Sequence, residues 1–305
     1  MTQRTLIQTM PAVGAKASSK RRRVWLPLWF LLPSILILLA LQLYPAVYAA
    51  YLSFGRVRRG DVEFIGLANY QRLFTSATFI DSLQRTVIFV ACFVIFTAGI
   101  GLLLAMLLNR RLKLSGVYLV LLFIPWVLSD VVAGTMWRWL FQPTYGLLQT
   151  WVHDMFPFVT DSVYTSQGGS MFIVIVASIW QALPFATILS LGALQTVPQD
   201  IIEAAAIDGA NRWQRFWRVI VPICRSTLLI MVLLLSIRSV NSAGLIFATT
   251  SGGPGDATTT TTIYLLKVIK EQGNFGLGGA ISMVLLGVNV ILAALYLRLF
   301  GKQEA

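Results

Sequence analysis

Long apolar stretches alternate with shorter polar segments along most of this chain. Each apolar stretch holds the roughly 20 predominantly apolar residues that a helix needs to cross a lipid bilayer. The pattern therefore predicts an all-α membrane protein with six transmembrane helices. Their predicted bounds are about 25–54, 83–108, 116–141, 168–192, 222–249 and 277–300.

The composition agrees with a membrane protein. Of the 305 residues, 57% are hydrophobic and only 12% are charged, and the mean hydropathy is +0.75. Soluble domains carry about 25% charged residues. The net charge of +12 comes largely from basic segments between spans, so it does not indicate nucleic-acid binding. Cys92 and Cys224 lie in apolar runs, which predicts neither a disulfide framework nor a metal site.

Lysine and arginine are distributed unevenly between the segments that separate the spans. Fifteen of the 24 lie in alternate segments that include both termini, and seven lie in the intervening ones. Because basic residues accumulate on the cytoplasmic side of a membrane, we expect both termini to be cytoplasmic. Residues 1–23 and 301–305 are then cytoplasmic tails, and the polar segment 193–221 is a cytoplasmic loop.

The polar segment 193–221 carries signals for a short helix. Pro198 presets the backbone angle of a first helical turn, and Glu203 adds negative charge near the helix N-terminus. Ala204–Ala206 are strong helix formers with little side-chain bulk. Gly209 is the natural end of this helix because glycine adopts the left-handed conformation without strain.

A second helical run follows, from Arg212 to Val219, and mixes arginine with tryptophan and phenylalanine. This composition is typical of a connector lying on the membrane surface. Spacing alone leaves two interpretations open, a membrane-surface connector and a docking helix for another protein.

The pattern of this segment resembles a known family. Glu-Ala-Ala begins at Glu203, Gly209 follows after three residues, and an aliphatic-x-aliphatic-Pro sequence ends at Pro222. This is similar to the EAA loop of bacterial ABC importer permeases, in which a cytoplasmic coupling helix docks on the ATPase subunit. The resemblance implies ATPase coupling by these residues: Glu203, Ala204, Ala205, Asp208, Gly209 and Arg212.

Two further elements resemble sugar-type permeases of the maltose, trehalose and glycerol-phosphate class. The stretch from Phe64 to Phe74 has the form F-x-G-L-x-N-Y-x-x-L-F, and Gly252-Gly253-Pro254 follows the fifth span. The resemblance implies a multi-pass permease subunit of the bacterial inner membrane that translocates a sugar, expected to be a di- or oligosaccharide. It also implies that Gly252, Gly253 and Pro254 help to dock a binding protein.

The same resemblance implies a set of partners. These are a second permease subunit, two ATPase subunits and an extracytoplasmic substrate-binding protein. ATP and Mg²⁺ are expected on the ATPase subunits, so no cofactor is expected on this chain. We expect the spans and the coupling loop, residues 24–300, to form one importer transmembrane domain.

Polar and ionisable residues inside the predicted spans are candidates for the substrate path. A charged group at the centre of a membrane helix costs about 2.5–3.5 kcal/mol on insertion scales, so it is expected to face the bundle interior or a water-filled cavity. Aromatic rings with carboxylate, amide and guanidinium groups suit a polyhydroxylated ligand. Alternatively, Asp130 and Arg238 form a structural pair, or some of the group lie at the membrane boundary. The candidates are Asp130, Trp137, Arg138, Gln181, Arg238 and Asn241.

The sequence departs from the family pattern at two places. Ala243-Gly244 stands where the family often has Phe-Asp late in the fifth span, and Asp130 stands where a small or apolar residue is expected. Both departures lie in the expected substrate path.

Motifs for catalysis are missing from the sequence. It contains no Gly-x-x-x-x-Gly-Lys-Ser/Thr phosphate loop, no His-Glu-x-x-His and no Gly-x-Ser-x-Gly. We therefore expect a non-enzyme whose ATPase is another polypeptide.

The alternatives to a sugar importer are a permease for a non-sugar solute such as glycerol phosphate or a polyamine, an ion-coupled secondary transporter and a membrane scaffold. A secondary transporter needs coupling carboxylates within spans and repeat symmetry, and Asp130 is the only clear carboxylate.

Overall fold

The computed structural model describes residues 25–58, 61–110, 113–156 and 162–301. The chain divides into two compact units, with the division between Tyr48 and Ala49. The predicted N-terminal tail 1–23 and the C-terminal residues 302–305 lie outside the described residues.

Helices dominate the described residues. In the first unit α1 (Trp25–Leu38) continues through a π-helical turn (Leu39–Leu43) into α2, which runs across the division. The remaining helices, in chain order, are α2 (Tyr44–Ser53), α3 (Ala68–Thr75), α4 (Ala77–Leu108), α5 (Ser115–Val127), α6 (Asp130–Leu140), α7 (Leu147–Met155), α8 (Gln167–Gln195), α9 (Gln199–Ile207), α10 (Arg212–Arg215), α11 (Val221–Val240), α12 (Gly244–Thr250), α13 (Thr261–Lys270) and α14 (Phe275–Gly301).

The helices long and apolar enough to cross a membrane agree with the predicted fold class. Five are found among the described residues, or six if a bent pair counts as one span. They are Leu31–Ser53, Ala77–Leu108, Gln167–Gln195, Arg212–Val240 and Phe275–Leu299, with Gly116–Val127 plus Asp130–Leu140 as the bent pair. The predicted all-α membrane fold is confirmed.

The third predicted span differs from a straight helix. It breaks after Val127, and α6 continues at 95° to α5. Ser129 has extended backbone angles and its hydroxyl accepts a hydrogen bond from the Val132 amide at 3.3 Å, which caps a new helix. Pro125 in the last turn of α5 also weakens the helix just before the break.

The fifth predicted span also ends early. Helix α11 stops at Val240, and α12 is a separate short helix. The hydroxyl of Thr262 donates to the Val240 carbonyl at 2.7 Å and so satisfies one acceptor left free at the end of α11. Helix α12 packs tightly on α6, because a Cβ at Gly134 would lie only 2.6 Å from the Leu245 carbonyl oxygen.

A β-hairpin that the sequence did not predict follows α2. Strands β1 (Gly55–Arg58) and β2 (Asp61–Phe64) pair antiparallel. The side chain of Asn69 donates to the carbonyls of Ser53 and Gly55, both at 2.9 Å, and the hydroxyl of Tyr70 bonds the Ser53 hydroxyl at 2.8 Å. The Asn-Tyr pair of the loop element therefore joins the end of α2 and the hairpin to α3.

The centre of the second unit is α8, which contacts α4, α5, α6, α11 and α12. Helix α8 approaches α4 closely at Gly101, where a Cβ would lie 2.7 Å from the Ala186 Cβ. Small residues permit such close helix contacts in membranes, where dispersion forces depend on short distances. The long contact between α4 and α8 holds α8, which carries Gln181, in place.

Candidate functional site

The predicted coupling residues lie on α9 and in the junction that follows it. Gly209 has φ +82°, in the left-handed region. Its amide bonds the Ala206 carbonyl at 3.1 Å, and the Ala210 amide bonds the Ala205 carbonyl at 3.0 Å. These two bonds form a Schellman motif, which closes the C-terminus of α9.

A second cap begins the next helix at once. The Asn211 side chain accepts from the Gln214 amide at 2.8 Å, and the Gln214 side chain accepts from the Asn211 amide at 2.9 Å. This capping box starts α10, which continues through a π-helical turn (Phe216–Ile220) into α11. Because both helix ends are capped, the junction between α9 and the fifth span is short and well defined.

One face of α9 is held against the bundle and the other is open. Ile202 packs on a cluster that includes Ala105, Val197 and Cys224. In contrast, Ile207 is 87% exposed. Of the predicted coupling residues Ala205 is half-buried, and the exposed ones are Glu203, Ala204, Asp208, Gly209 and Arg212.

An aromatic cluster stands beside this open face. Trp213, Phe216 and Trp217 contact one another with ring centroids 5.0–6.2 Å apart, and both tryptophans are exposed. The mixture of arginine and tryptophan predicted for this run is therefore present on the surface of the described chain.

Three of the predicted path residues form one polar network at the break between α5 and α6. The Gln181 side chain donates to the Leu128 carbonyl at 3.0 Å. The Arg238 guanidinium donates to the Gln181 side-chain oxygen at 3.2 Å and lies 3.5 Å from the Asp130 carboxylate. The network thus joins the broken third span to α8 and α11. It also contains the Asp130–Arg238 pair, which the sequence analysis gives as the structural alternative to a role in the substrate path.

The other three predicted path residues lie apart from this network. Trp137 stacks on Phe141 and meets Trp180 edge-on, and its buried indole nitrogen has no hydrogen-bond partner among the described residues. Asn241 exchanges side-chain amide bonds with Asn289 of α14, at 3.0 and 3.3 Å. Sequence reasoning did not identify Asn289, although a lone asparagine within an apolar span is a readable signal.

Arg138 opens into a separate cavity of about 440 Å³ between α6, α12 and α13. Asp130 does not line this cavity, although the sequence analysis names both residues as candidates for one substrate path. Both residues lie on α6, after the break, but the Asp130 carboxylate turns to Arg238 instead of to the cavity. The polar and aromatic lining residues are Thr135, Arg138, Phe247, Ser251 and Lys270.

The loop that contains Gly252-Gly253-Pro254 is held by an ion pair that the sequence analysis missed. Lys267 Nζ donates to the Asp256 carboxylate at 2.6 Å, and the Thr259 hydroxyl bonds both that carboxylate and the Gly252 carbonyl at 3.0 Å. The hydrogen bond from Lys267 lowers the pKa of Asp256 below its ordinary range. Four buried threonines follow, from Thr258 in the loop to Thr261 at the start of α13.

No group of three or more histidine, cysteine, aspartate or glutamate side chains forms a metal site within the ranges that the structure describes.

Comparison with known proteins identifies the class. Residues 97–300 match the family described as "Binding-protein-dependent transport system inner membrane component". The chain belongs to this family. The match includes the whole of the EAA segment, the polar network and the Arg138 cavity, and it confirms the family resemblance predicted from the sequence.

Relatives of this permease cover nearly its full length. The trehalose/maltose transport system permease protein MalF of Thermococcus litoralis is 30% identical over 92% of this chain and 95% of the relative. The sn-glycerol-3-phosphate transport system permease protein UgpA of Pectobacterium atrosepticum is 31% identical over 92% of this chain and 96% of the relative.

The fold has a counterpart among solved structures. A chain of a bacterial alginate ABC transporter, crystallised with an alginate pentasaccharide-bound periplasmic protein, superposes with a TM-score of 0.76. It covers 90% of this chain and 93% of that chain at 20% identity. The protein is therefore a multi-pass permease subunit of the inner membrane that serves a binding-protein-dependent ABC importer, and it is not an enzyme.

Proposed function

We propose that this permease imports a sugar, a di- or oligosaccharide, that an extracytoplasmic binding protein delivers. The MalF relative is named for trehalose and maltose, and the alginate transporter of similar fold was crystallised with a saccharide-loaded periplasmic protein. The UgpA relative is named for sn-glycerol-3-phosphate, which keeps a phosphorylated non-sugar solute as the second candidate.

The observation that carries the coupling part of the proposal is the open face of α9, which is followed by a junction with a cap at each end. Glu203, Ala204 and Gly209 are exposed, while Ile202 anchors the opposite face in the bundle. Small alanine side chains permit close approach of another protein surface. We assign this face, with Ala205, Asp208 and Arg212, to an ATPase subunit that binds ATP and Mg²⁺.

Movement of α9 then reaches the membrane through a short path. Only Asp208–Asn211 separate α9 from α10; backbone bonds close the α9 end of this junction, and the Asn211–Gln214 capping box closes the α10 end. Closure of two ATPase subunits around ATP would displace α9, and the capped junction would pass the displacement to α11. Arg238 near the end of α11 would then shift relative to Asp130 and Gln181.

The polar network is our candidate for the switch of the substrate path. The Asp130–Arg238 ion pair, at 3.5 Å, and the hydrogen bonds of Gln181 connect α6, α8 and α11. A shift of α11 exchanges these bonds for bonds to sugar hydroxyls, which offer both donors and acceptors. Trp137 and Asn241, which lie outside this network, would supply an aromatic face and an amide to the same path, and Arg138 lines the separate cavity.

The loop around Gly252, Gly253 and Pro254 is our candidate for docking the binding protein. The Asp256–Lys267 pair and the Thr259 hydroxyl hold this loop in one shape, which lowers the entropy that docking must remove. A second permease subunit completes the path, and we expect a heterodimer. Residues 1–23 and 301–305 are proposed as cytoplasmic tails of the domain 24–300.

The test is ATPase activity of the assembled importer in lipid, with its binding protein added empty or loaded. Loading is varied among trehalose, maltose, longer saccharides, sn-glycerol 3-phosphate and spermidine. Stimulation by one loaded saccharide is the expected result. Stimulation only by glycerol phosphate or spermidine would replace the sugar, and ATP-independent uptake driven by an ion gradient would overturn the ATPase coupling.

A further inference from the structure

The cavity beside Arg138 has an unusual charge for a site within a membrane domain. Two cations, Arg138 of α6 and Lys270 of α13, line its volume of about 440 Å³. No aspartate or glutamate is among the residues that line it. Small-molecule sites range from about 300 to 1,000 Å³, so the cavity is large enough for one sugar ring with a charged substituent.

Two carboxylates close to the cavity, those of Asp130 and Asp256, pair with cations that do not line it. Asp130 lies against Gly244 in the cavity wall, but its carboxylate pairs with Arg238 at 3.5 Å. Asp256 pairs with Lys267 at 2.6 Å. Within the described ranges neither Arg138 nor Lys270 has a carboxylate within 4.0 Å, so the cavity carries two uncompensated positive charges.

Helix position explains only part of this arrangement. Both cations lie in the last turn of their helices, where the helix dipole favours positive charge. Lys270 also lies over the Phe247 ring, 5.2 Å from its centroid, which further stabilises the ammonium group. These effects act on each cation separately, and neither explains why two cations converge on one cavity without an acid.

The hydroxyl groups of the cavity are arranged as acceptors. Thr135 donates to the Val131 carbonyl at 2.8 Å, and Ser251 donates to the Phe247 carbonyl at 3.1 Å. Each hydroxyl proton is thereby used within its own helix, which leaves oxygen lone pairs for a ligand's O–H groups. The cavity therefore offers two cationic donors and two neutral acceptors.

We propose that this cavity binds the anionic group of an acidic saccharide, a carboxylate or a phosphate, while neighbouring sugar hydroxyls donate to Thr135 and Ser251. This inference rests on the proposed function, which it narrows from sugars in general to charged ones. Arg138 supplies a planar pair of N–H donors suited to a carboxylate or phosphate, and Lys270 supplies a second positive charge.

The experiment uses the complete importer in nanodiscs of phosphatidylcholine, without the binding protein. Equilibrium dialysis measures binding of radiolabelled digalacturonate, glucose 6-phosphate and maltose. We expect at least one of the two anions to bind, maltose to bind at least about tenfold more weakly, and added salt to weaken anion binding. The double variant Arg138→Gln/Lys270→Gln should lose the preference, and Arg138→Lys/Lys270→Arg should keep it.

A matched control separates the cavity from general surface charge. Arg72→Gln removes an exposed arginine of α3 that does not line the cavity, so this variant should bind the anion as the wild type does. An unchanged unfolding midpoint in the double variant shows that its loss of binding is not a loss of fold. Equal binding of maltose and the anions, or unchanged binding in the folded double variant, would overturn the inference.

A lipid headgroup is the other source of the same anionic chemistry. Phosphatidylglycerol in the nanodisc is then tested as a competitor of the solute. If it displaces the solute from the wild type but not from Arg72→Gln, the displacement takes place at the surface of the protein and not in the cavity. If phosphatidylglycerol alone is retained and neither soluble anion binds, the cavity is a lipid site and the inference is wrong. If a neutral saccharide loaded on the binding protein stimulates ATPase while no anion binds, only this inference fails and the proposed function stands.

Discussion

The Cβ of Asp130 lies 2.9 Å from the position that a Cβ on Gly244 would occupy. These are the two places at which the sequence departs from the family pattern, and they contact each other. A side chain at position 244 would collide with Asp130, so glycine there provides the space for the acid. The carboxylate is then turned to Arg238 at 3.5 Å, which balances the charge that it brings into the membrane domain.

The contact predicts a specific pattern of suppression. Gly244→Ala introduces a carbon at 2.9 Å from the Asp130 Cβ and should destabilise the protein by about 1–3 kcal/mol, the usual range for overpacking. Asp130→Gly removes the opposing carbon and should restore part of the loss, whereas Asp130→Ala keeps that carbon and should not. Thermal unfolding of the single and double variants in detergent measures the coupling, and additive effects would contradict the contact.

Gln181 is predicted to be the most sensitive member of the polar network. Gln181→Leu keeps the volume but leaves the Leu128 carbonyl and the Arg238 guanidinium each without one bond, at a cost of about 1–3 kcal/mol for each unsatisfied group. Unfolding midpoints and uptake should both fall. Ser178→Ala, almost one turn earlier on α8, removes a hydroxyl that donates to its own helix and should change little. Equal effects of the two variants would argue against the network.

Gly209 is predicted to be required for its backbone angle and not for space. A Cβ there would meet no atom within 4 Å, but φ is +82°, and an L-residue in that region costs about 1–2 kcal/mol. Gly209→Val should therefore distort the end of α9 and abolish uptake, as should a charge introduced by Ala205→Glu. ATPase co-purification and transport in proteoliposomes separate lost assembly from lost coupling.

Gly192→Ala is the matched control for Gly209. Gly192 also has open space around it but lies inside α8, where alanine should be neutral or stabilising by about 0.5–1 kcal/mol. Normal uptake in Gly209→Val would count against the role assigned to the coupling segment.

The Asp256–Lys267 pair predicts that the loop containing Gly252-Gly253-Pro254 loses stability in acid. Because the folded-state pKa of Asp256 is lowered, the pair contributes its full stability above the ordinary value of 3.8 and loses it as pH falls through the lower folded pKa. Stability should thus be flat from pH 7 to 5 and fall below about 3.8. Asp256→Asn should remove this loss of stability in acid, and Asp81→Asn, which removes the longer 3.9 Å pair with Arg85, should leave it in place.

Hydropathy was sufficient to predict the membrane fold and the long helices α4, α8 and α14, because each is a continuous apolar run. The end of α9 at Gly209 was also predictable, since the left-handed angle selects glycine locally. The break in the third span was not predicted, although Pro125 and the Ser129 cap are signals that sequence alone could have used. The hairpin after α2 was missed because its strands are only four residues long.

The polar network was predicted only as a set of residues. Gln181 and Arg238 were readable as polar groups in apolar runs, but their acceptor at Leu128 is a backbone carbonyl. That carbonyl becomes available only because the helix breaks there, so no pattern of side chains reveals it. Lys270 and Arg138 were missed as neighbours for a similar reason, since 132 residues of folded chain bring α13 to α6.

The break after Val127 has a consequence for biosynthesis. Helix α5 has 13 residues and is therefore about 20 Å long, whereas the hydrocarbon core is about 30 Å thick. Helix α5 is too short to span the core alone, and among the described residues the Leu128 carbonyl and the Asp130 carboxylate pair with Gln181 and Arg238 of later helices. We therefore expect the third segment to reach its final depth only after the ribosome has passed the fifth, so that insertion does not follow the order of the sequence.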